Sequence, residues 1–408
     1  MKILLISHRL PHAYAYSGMQ IVYQRMTRLM ARGHEVSLAC FVDEEQDLPY
    51  LDTLPPGLKR VELLKTPWVN GLLPTLFTEG RYSATSSFFR YQSDNMRKRV
   101  GQMILEGGLD VAIAEFTAMG QFFYHNPYLP AVRRIISCHD SPTLGSRKLI
   151  DMLEPSFIWG KQWLEYRHMR MLELRLYHSV DRVLTLTNEE RMALLEEDPT
   201  VRITAVSPGL RAEMFVPMPE IEKEHAIIIT GRFSSDQSHL GATWFLRNVW
   251  PVVRRRDPQV VLYLVGRDPT PTMNHLALRD ERVVVTGTVE DLRPYLAKSK
   301  LYVCPVLSGS GVRGKVLEAM AMELPVISTL VGSEGIAFEQ GQNGFLADAP
   351  QMMADMICHV LHDDALRDKL GRNARKTVEA HFTWDRSLDL LESVLRDVLS
   401  KRSYHIVT

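Results

Sequence analysis

The sequence is poor in cysteine and has no excess of either charge. Its 408 residues include four cysteines, none within three residues of another, which excludes paired-cysteine metal motifs. Three of them lie in apolar runs, so we expect buried free thiols in a reducing compartment. Lysine plus arginine and aspartate plus glutamate number 48 each, and this balance argues against a nucleic-acid-binding protein.

Long hydrophobic runs are also missing. No stretch approaches the ~20 apolar residues of a membrane span, and the opening MKILLISHRL has too short an apolar run for a secretory signal. We therefore expect a cytoplasmic protein. No G-x-G-x-x-G follows the first apolar run, which disfavours a Rossmann dehydrogenase.

Short apolar runs alternate with amphipathic segments along most of the chain. Runs that are apolar throughout are typical of parallel sheets covered on both faces. The alternation stops at 207–225, where prolines and charged residues indicate an inter-domain linker. The predicted strands are 3–7, 35–42, 111–116, 134–138 and 182–187 before this linker, and 226–231, 260–266, 283–287, 301–306 and 325–329 after it.

This pattern predicts an α/β protein with two doubly wound domains, residues 1–212 and 213–383, facing each other across a cleft. In such sheets ligands bind beyond the carboxyl ends of the strands, so we expect the site in the cleft. A last helix, within 384–405, has one apolar face. Its periodicity allows it to close the second domain or to cross back onto the first.

The segment SGSGVRGKVLEAMAMELPVIS, 308–328, joins an apolar strand to a helix through a glycine-rich turn. Such a turn lets backbone N–H groups approach an anion, and the start of the helix adds free donors. Arg313 and Lys315 bring two positive charges to it, and Glu318 lies one helical turn beyond Lys315. Groups that can donate hydrogen bonds to a phosphate thus lie next to a carboxylate that can accept them from a diol such as a ribose. Together they suggest a nucleotide site. A solvated charge cluster at a helix start is the alternative.

Other polar residues follow predicted strands. Gly231 and Arg232 come directly after one strand, and they open on the same sheet edge as the glycine-rich turn. Gly18 precedes the first helix, where backbone donors could approach a ligand, although taken by itself it favours a turn that needs φ > 0. His139 and Glu115 end two other strands and point toward the expected cleft; a structural histidine and a glutamate in contact with backbone or solvent are the alternatives.

The segment GVRGKVLEAMAMELPVIS closely resembles the donor site of the family 4 glycosyltransferases, which have the GT-B fold. The opening, with SHRLPHAYAYSGMQ and GHEV, resembles their first strand, glycine loop and second strand, and is most similar to the exopolysaccharide-biosynthesis branch. GRF after IIIT, TGTVEDLRPYLAKSKLYVCPV and the C-terminal TW helix fit as well. The resemblance covers nearly the whole chain and is strongest over 1–47, 226–250 and 283–345.

This resemblance implies a retaining transfer of a sugar from a nucleoside diphosphate, UDP or GDP, without a metal or other cofactor. It implies that Glu318 binds the ribose, that Arg232 and Lys315 bind the diphosphate, and that His139 lies beside the transferred sugar. It also implies that the C-terminal helix crosses back to the first domain. The remaining predicted site residues are Gly18, Val289, Ser310, Gly311, Val312 and Arg313 for the donor, and Glu115 and His12 for the acceptor.

Two positions depart from the family pattern. Ser310 stands where the family has a second glutamate, and Gln237 lies near the usual lysine after the Gly-Arg turn. The lost glutamate leaves the donor sugar open, and Arg313 with Lys315 could supply the missing charge. A nucleotide-sugar 2-epimerase on the same fold and a non-catalytic sugar-binding subunit are the alternative functions.

Residues 81–99 combine five basic residues with interleaved aromatics. A basic-aromatic helix can lie on an anionic membrane surface, which would suit a lipid-linked acceptor on the inner face of the membrane. A solvated helix face is the alternative. The expected partners are thus a nucleotide sugar, a carbohydrate, lipid-linked or small-molecule acceptor, and a membrane surface, but no nucleic acid.

Overall fold

The computed structural model describes residues 1–15, 17–43, 47–67, 90–151, 154, 156–210, 214–308 and 312–400. The chain divides into two compact units. Unit 1 is Met1–Ser207 together with the segment from Leu388 onward, and unit 2 is Pro208–Ser387. The first unit thus ends at Ser207, whereas the sequence placed the boundary after residue 212. The shift has a local cause, because the Leu210 N–H donates to the carbonyl of Phe382 at 2.6 Å within unit 2.

Unit 1 is built on a parallel seven-stranded sheet with the order β3-β2-β1-β4-β5-β6-β7. Its strands are β1 Lys2–Ser7, β2 Glu35–Val42, β3 Val61–Lys65, β4 Val111–Glu115, β5 Arg133–Ser137, β6 Arg182–Thr185 and β7 Ile203–Ala205. Its helices are α1 Ser17–Ala31, α2 Asp94–Gly107, α3 Pro142–Asp151, α4 Phe157–His178 and α5 Asn188–Glu197. The sheet is buried on both faces by two apolar clusters, which is why its central strands read as continuous apolar runs.

Unit 2 repeats this plan with a parallel six-stranded sheet of order β10-β9-β8-β11-β12-β13. Its strands are β8 Ala226–Thr230, β9 Val261–Val265, β10 Val283–Gly287, β11 Leu301–Cys304, β12 Val326–Ser328 and β13 Phe345–Leu346. Its helices are α6 Asp236–Asn248, α7 Trp250–Arg256, α8 Pro271–Arg279, α9 Arg293–Lys298, α10 Gly314–Ala321, α11 Pro350–His362 and α12 Asp364–His381. Both sheets confirm the prediction of doubly wound α/β units.

The last helix, α13 Trp384–Ser400, begins in unit 2 and packs from Leu388 onward in unit 1. Its apolar face is buried against β1, β2 and α1. Ion pairs fasten the same helix at Arg32–Asp389, His34–Glu392 and Arg182–Asp397. These contacts decide between the two placements that periodicity left open.

The predicted linker is an irregular segment whose apolar side chains belong to unit 2. Leu210, Phe215, Met218 and Ile221 pack against the core cluster of that unit. Over its described residues, 207–210 and 214–225, the prolines and charges therefore mark a segment without helix or strand that packs on unit 2. All four cysteines are free, and only Cys358 is not fully buried.

Candidate active site

In each of the two sheets the strand order reverses at one point. This switch point is where doubly wound sheets bind ligands. In unit 2 the reversal lies between β8 and β11, which are neighbours in the sheet. Loops leaving adjacent strands in opposite directions open a crevice there, and ligands of doubly wound sheets bind in it. Gly231 and Arg232 follow β8, and the turn leading to Arg313 and Lys315 follows β11. The predicted donor residues thus occupy both sides of one crevice, while Ser310 and Gly311 lie outside the described residues.

Lys315 connects the two sides. It lies in the first turn of α10, and its Nζ donates to the Thr230 carbonyl at the end of β8, at 3.4 Å. A Cβ built on Gly231 would lie 3.7 Å from the same Nζ. Burial lowers the pKa of Lys315, the charge of Arg313 adds to that effect, and the charge of Glu318 opposes it. The ammonium is therefore poorly solvated and is poised to gain from an anionic ligand.

The turn at Gly231 is held by a very close backbone approach. Gly266, which directly follows the neighbouring strand β9, has φ +147°, and a Cβ on it would lie 1.8 Å from the Gly231 carbonyl oxygen. Only glycine tolerates this contact, since any other side chain would push the turn away from Lys315. The sequence analysis assigned Gly266 no role. Its position at the end of the predicted strand 260–266 was the one feature that could have indicated a place near the site.

Arg232 has a different environment from Lys315. Its side chain is 64% exposed, and its Nε donates to Ser234 at 3.0 Å and to Asp268 at 3.1 Å. Hydrogen bonds from Ser234 and Arg232 lower the pKa of Asp268. The structure therefore places Arg232 at the predicted turn, paired with a carboxylate that the sequence did not indicate.

The other donor-side predictions lie around α10. Arg313 precedes the helix and is buried, and Val312 and Val289 are partly buried against the core of unit 2. Glu318 is half-buried on α10, and its charge acts on both Lys315 and Tyr302. A carboxylate one turn from the lysine is thus in place, as the spacing predicted.

Unit 1 contains a buried ionic cluster beneath its own switch point. Arg25 of α1 binds both carboxylate oxygens of Glu115, at 2.7 and 2.9 Å, and donates to Ser137 at 2.9 Å. His139 Nε2 lies 2.8 Å from Glu115 Oε2. Burial raises the pKa of Glu115, but Arg25 and His139 outweigh it and hold that pKa at about 2. Glu115 is fully buried and ionised, so it orients His139 from below.

Gly18 lies directly beside the His139 ring. A Cβ on Gly18 would lie 2.5 Å from the Phe116 ring and 3.0 Å from His139 Nδ1. Phe116 stacks on His139 with ring centroids 4.0 Å apart, and its φ of 75° is rare for a residue with a side chain. The glycine at the start of α1 therefore makes room for this ring pair, and the structure brings Gly18, Glu115 and His139 together.

Two further histidines follow β1. The Phe116 ring contacts His8 edge-on at 4.3 Å, and burial together with the charges of His139, Arg9 and Arg90 lowers the pKa of His8 to about 4. His8 belongs to the SHR segment, yet sequence reasoning assigned it no role. The predicted acceptor residue His12 stacks on Tyr50 at 4.1 Å, and burial lowers its pKa.

Glu190 of α5 supports the loop that follows His139. Its Oε1 accepts a hydrogen bond from the Ser141 N–H at 3.1 Å. Burial, then the charges of Asp140 and Glu173, raise the pKa of Glu190 from 4.5 to about 7. The folded state therefore favours the protonated carboxyl, so this contribution to stability is full below pH 4.5 and is lost as the pH rises through 7.

We expect Glu190→Gln to stabilise the protein above pH 7 by about 3 kcal/mol, since each pKa unit corresponds to ~1.4 kcal/mol. Glutamine keeps the acceptor for Ser141 but removes the ionisation. Urea unfolding at pH 4.5 and pH 8 measures the effect, which should nearly vanish at the lower pH. Glu189→Gln, at the exposed neighbouring position, should stay within about 0.5 kcal/mol at both pH values. An equal gain from both variants would contradict the assignment.

The predicted membrane segment 81–99 is described only from Arg90 onward, and 81–89 lie outside the described residues. Tyr91 stacks on Phe41 of the core at 5.7 Å and contacts His8, so its ring packs inward. Lys98 pairs with Asp94 on α2 at 2.9 Å. Among the helices that the structure describes, none is long and apolar enough to cross a bilayer.

Comparison with known proteins shows similarity to glycosyltransferases. Residues 224–363 match the family model described as glycosyl transferases group 1. An uncharacterized 44.6 kDa protein in the cps region of Klebsiella pneumoniae is 20% identical over 403 residues, spanning 93% of this chain and 96% of that protein. The capsular polysaccharide biosynthesis glycosyltransferase CapM of Staphylococcus aureus is 28% identical over 125 residues, 30% of this chain and 33% of its own length.

A solved structure extends the likeness to the whole chain. HepE from Anabaena, crystallised with UDP, superimposes with a TM-score of 0.68 at 14% identity, covering 97% of this chain and all of that one. Identity this low establishes the fold alone, and that fold is GT-B. Residues 224–363, which include both sides of the unit 2 crevice, are thus similar to the glycosyl transferases of group 1, within a chain that has the GT-B fold.

Proposed function

We propose that the protein is a retaining glycosyltransferase that moves a sugar from a nucleoside-diphosphate sugar, with UDP or GDP as the nucleotide, to an acceptor hydroxyl without a metal or cofactor. The observation that carries the proposal is the convergence of Lys315 with the Gly231 turn in the switch-point crevice of unit 2. A cation beside turn amides and a helix start suits a diphosphate. The UDP bound to HepE, which has the same fold, supports a uridine nucleotide.

In this proposal each donor residue has a separate task. Lys315 and Arg232 bind the diphosphate with Arg313 close by, and Glu318 accepts hydrogen bonds from the ribose hydroxyls. Negative charge grows on the diphosphate as the sugar–phosphate bond breaks, so cations fixed at that place lower the barrier. Lys315 is already fixed and desolvated, whereas Arg232 exchanges Asp268 for a phosphate oxygen when the donor binds.

His139 acts on the transferred sugar, and Glu115 acts through His139. The carboxylate 2.8 Å from Nε2 fixes the imidazole, and Nδ1 has no hydrogen-bond partner among the residues that the structure describes. That nitrogen is buried next to Gly18, and in this proposal it reaches a sugar hydroxyl when the donor binds. The departing phosphate takes the proton of the acceptor hydroxyl on the same face of the sugar, so no enzymic nucleophile is required. A covalent glycosyl-enzyme trapped on any side chain would contradict this step.

The acceptor belongs, in this proposal, to exopolysaccharide or related glycoconjugate biosynthesis. Support comes from the relative in the cps region of Klebsiella pneumoniae and from the capsular polysaccharide enzyme CapM. The acceptor is a carbohydrate, either free or linked to a lipid or small molecule. Contact of 81–99 with the inner face of a membrane would bring the enzyme to a lipid-linked acceptor, and co-sedimentation with anionic liposomes tests it.

A thermal-shift screen with UDP-, GDP-, ADP- and TDP-sugars tests the donor. A true donor at a hundred times its Kd should add about 2.7 kcal/mol of stability. Incubation with that donor and EDTA should then glycosylate an acceptor, and NMR of the product should show the anomeric configuration of the donor. An epimer formed from donor alone would favour a 2-epimerase, and absence of nucleotide binding would favour a non-catalytic subunit. An inverted product, or full inhibition by EDTA of a protein that circular dichroism shows to be folded, would contradict the proposed mechanism.

A further inference from the structure

A second polar cluster lies in unit 2 at the amino-terminal end of the sheet. It consists of His225 just before β8, Asp257 just after α7, and His362 at the end of α11. His225 Nε2 lies 2.6 Å and His362 Nε2 lies 3.1 Å from the same oxygen, Asp257 Oδ2. The three ligand atoms all lie within 4.8 Å of one another. Two imidazoles therefore converge on one carboxylate oxygen.

We propose that His225, Asp257 and His362 form a binding site for a divalent transition metal of the Zn²⁺ type. Two neutral imidazoles and one carboxylate form a three-ligand set that Zn²⁺ accepts, with a fourth position open to water. The site lies at the opposite end of β8 from the Gly231 turn, and five residues of strand separate the two by about 17 Å. The metal would thus stabilise unit 2 without touching the donor.

The distances between the two histidines and Asp257 are shorter than those between ligands of a bound Zn²⁺, as expected for a metal-free site. Zn–N and Zn–O bonds of about 2.1 Å in a tetrahedron put neighbouring ligand atoms about 3.4 Å apart. The observed 2.6 and 3.1 Å are hydrogen bonds to the carboxylate, so a metal would displace the imidazole protons and move each pair apart by less than 1 Å. Side-chain rotation alone supplies a change of this size.

The surroundings keep the carboxylate in place and leave the site accessible. Asp257 is 6% exposed, and its Oδ1 accepts the Gln259 N–H at 3.3 Å, which leaves Oδ2 facing the histidines. Such an outer hydrogen bond orients a ligating carboxylate. His362 is 64% exposed and gives solvent ions an entry. The positively charged Arg256, which directly precedes Asp257, is paired with Asp355.

Cys358 lies one turn before His362 on α11. Burial, together with the charge of Asp257, raises the pKa of its thiol, and Arg256 acts in the opposite direction. Cys358 is not among the ligand atoms that lie within 4.8 Å of one another. The preference for a metal of the Zn²⁺ type over Ca²⁺ or Mg²⁺ therefore comes from the two imidazoles.

The test is a calorimetric titration of the untagged, EDTA-treated full chain with Zn²⁺ alone, and with Co²⁺ for visible absorption. We expect one saturable site per chain and a rise in Tm of about 5–10 °C at a hundred times Kd. His362→Ala and Asp257→Asn should weaken binding at least tenfold and so reduce the Tm rise at the same Zn²⁺ concentration by about half or more. His359→Ala is the matched control, because this exposed histidine lies on the same helix outside the cluster, and it should bind as the parent does.

Circular dichroism of each metal-free variant establishes that it is folded, and His362→Ala alters an exposed residue, so loss of binding there reports the site. Absence of saturable Zn²⁺ binding by the parent chain would overturn the proposal. Equal binding by the parent, His362→Ala and His359→Ala would overturn it as well, because the metal would then sit elsewhere.

Discussion

Lys315→Ala should lower kcat/KM at least a hundredfold while the protein stays folded. The lysine is the fixed cation at the switch point, and removal of one preorganised donor to a developing anion costs on the order of 3–4 kcal/mol. Binding of the intact donor should weaken less, by about 10- to 100-fold, because a hydrogen bond to a charged group is worth about 1.5–3 kcal/mol. The difference reports charge that grows only in the transition state. Kinetics with the donor found by the screen, and calorimetry with that donor in the absence of acceptor, measure the two effects.

Lys223→Ala is the matched control. Lys223 is also a lysine of unit 2 with a pKa lowered by burial, and its Nζ donates to the carbonyls of Ala297 and Ser299 at 3.2 and 3.1 Å. It lies before β8, at the end of the sheet remote from the Gly231 turn. Its loss should cost stability similar to that of Lys315→Ala but leave kcat/KM nearly unchanged. Near-normal turnover by a folded Lys315→Ala protein would remove Lys315 from the mechanism.

The sequence predicted the ends of the central strands of both sheets to within two residues, because strands buried on both faces must be apolar throughout. The strands it missed are Val61–Lys65, Ile203–Ala205 and Phe345–Leu346. All three are edge strands. Val61–Lys65 has two charged residues among its five, and the other two strands have three residues or fewer. Neither length nor pattern separates such segments from loops.

The site was predictable where its residues are close in sequence and unpredictable where they meet only in space. The positions of Gly231, Lys315 and Glu318 follow from turns after apolar runs. Asp268, which binds Arg232, and Gly266, which contacts Gly231, come from the loop after β9. No local pattern links that loop to the turn after β8, since the link is the sheet order itself.

Arg25 of unit 1 is another residue whose contacts could not be predicted from the sequence, because its partners are distant along the chain. A single arginine in an amphipathic helix normally faces solvent, and nothing in α1 marks this one as buried. The usable signal lay elsewhere, in Glu115 at the end of the apolar run VAIAEF. A carboxylate buried in a central strand requires a cation or a proton, so the sequence implied a partner without naming it.

Arg25→Met should therefore destabilise unit 1 by about 3–5 kcal/mol, the usual cost of leaving one charge of a buried pair uncompensated. Arg25 is 1% exposed and Glu115 is fully buried, so water does not replace the lost guanidinium. Arg28→Met, one turn further along α1 and partly exposed, is the matched control and should stay within about 0.5 kcal/mol. Urea unfolding at pH 7 measures both.

The pH dependence separates loss of charge from loss of packing. The folded-state pKa of Glu115, about 2, lies below its ordinary 4.5, so the stability that Glu115 contributes is present above pH 4.5 and is lost as the pH falls through 2. Without Arg25, burial raises this pKa, and the carboxyl becomes neutral at a higher pH. The stability gap between the parent and Arg25→Met should therefore narrow as the pH is lowered from 7 toward 4.

Adding Glu115→Leu to Arg25→Met should recover most of the stability at pH 7, because an apolar pair of similar volume replaces a buried ion pair at little cost. The double variant leaves His139 without its carboxylate partner, so it should remain slow in transfer even when stable. A gap that does not change with pH, or a double variant as unstable as the single one, would mean that Arg25 acts through packing alone.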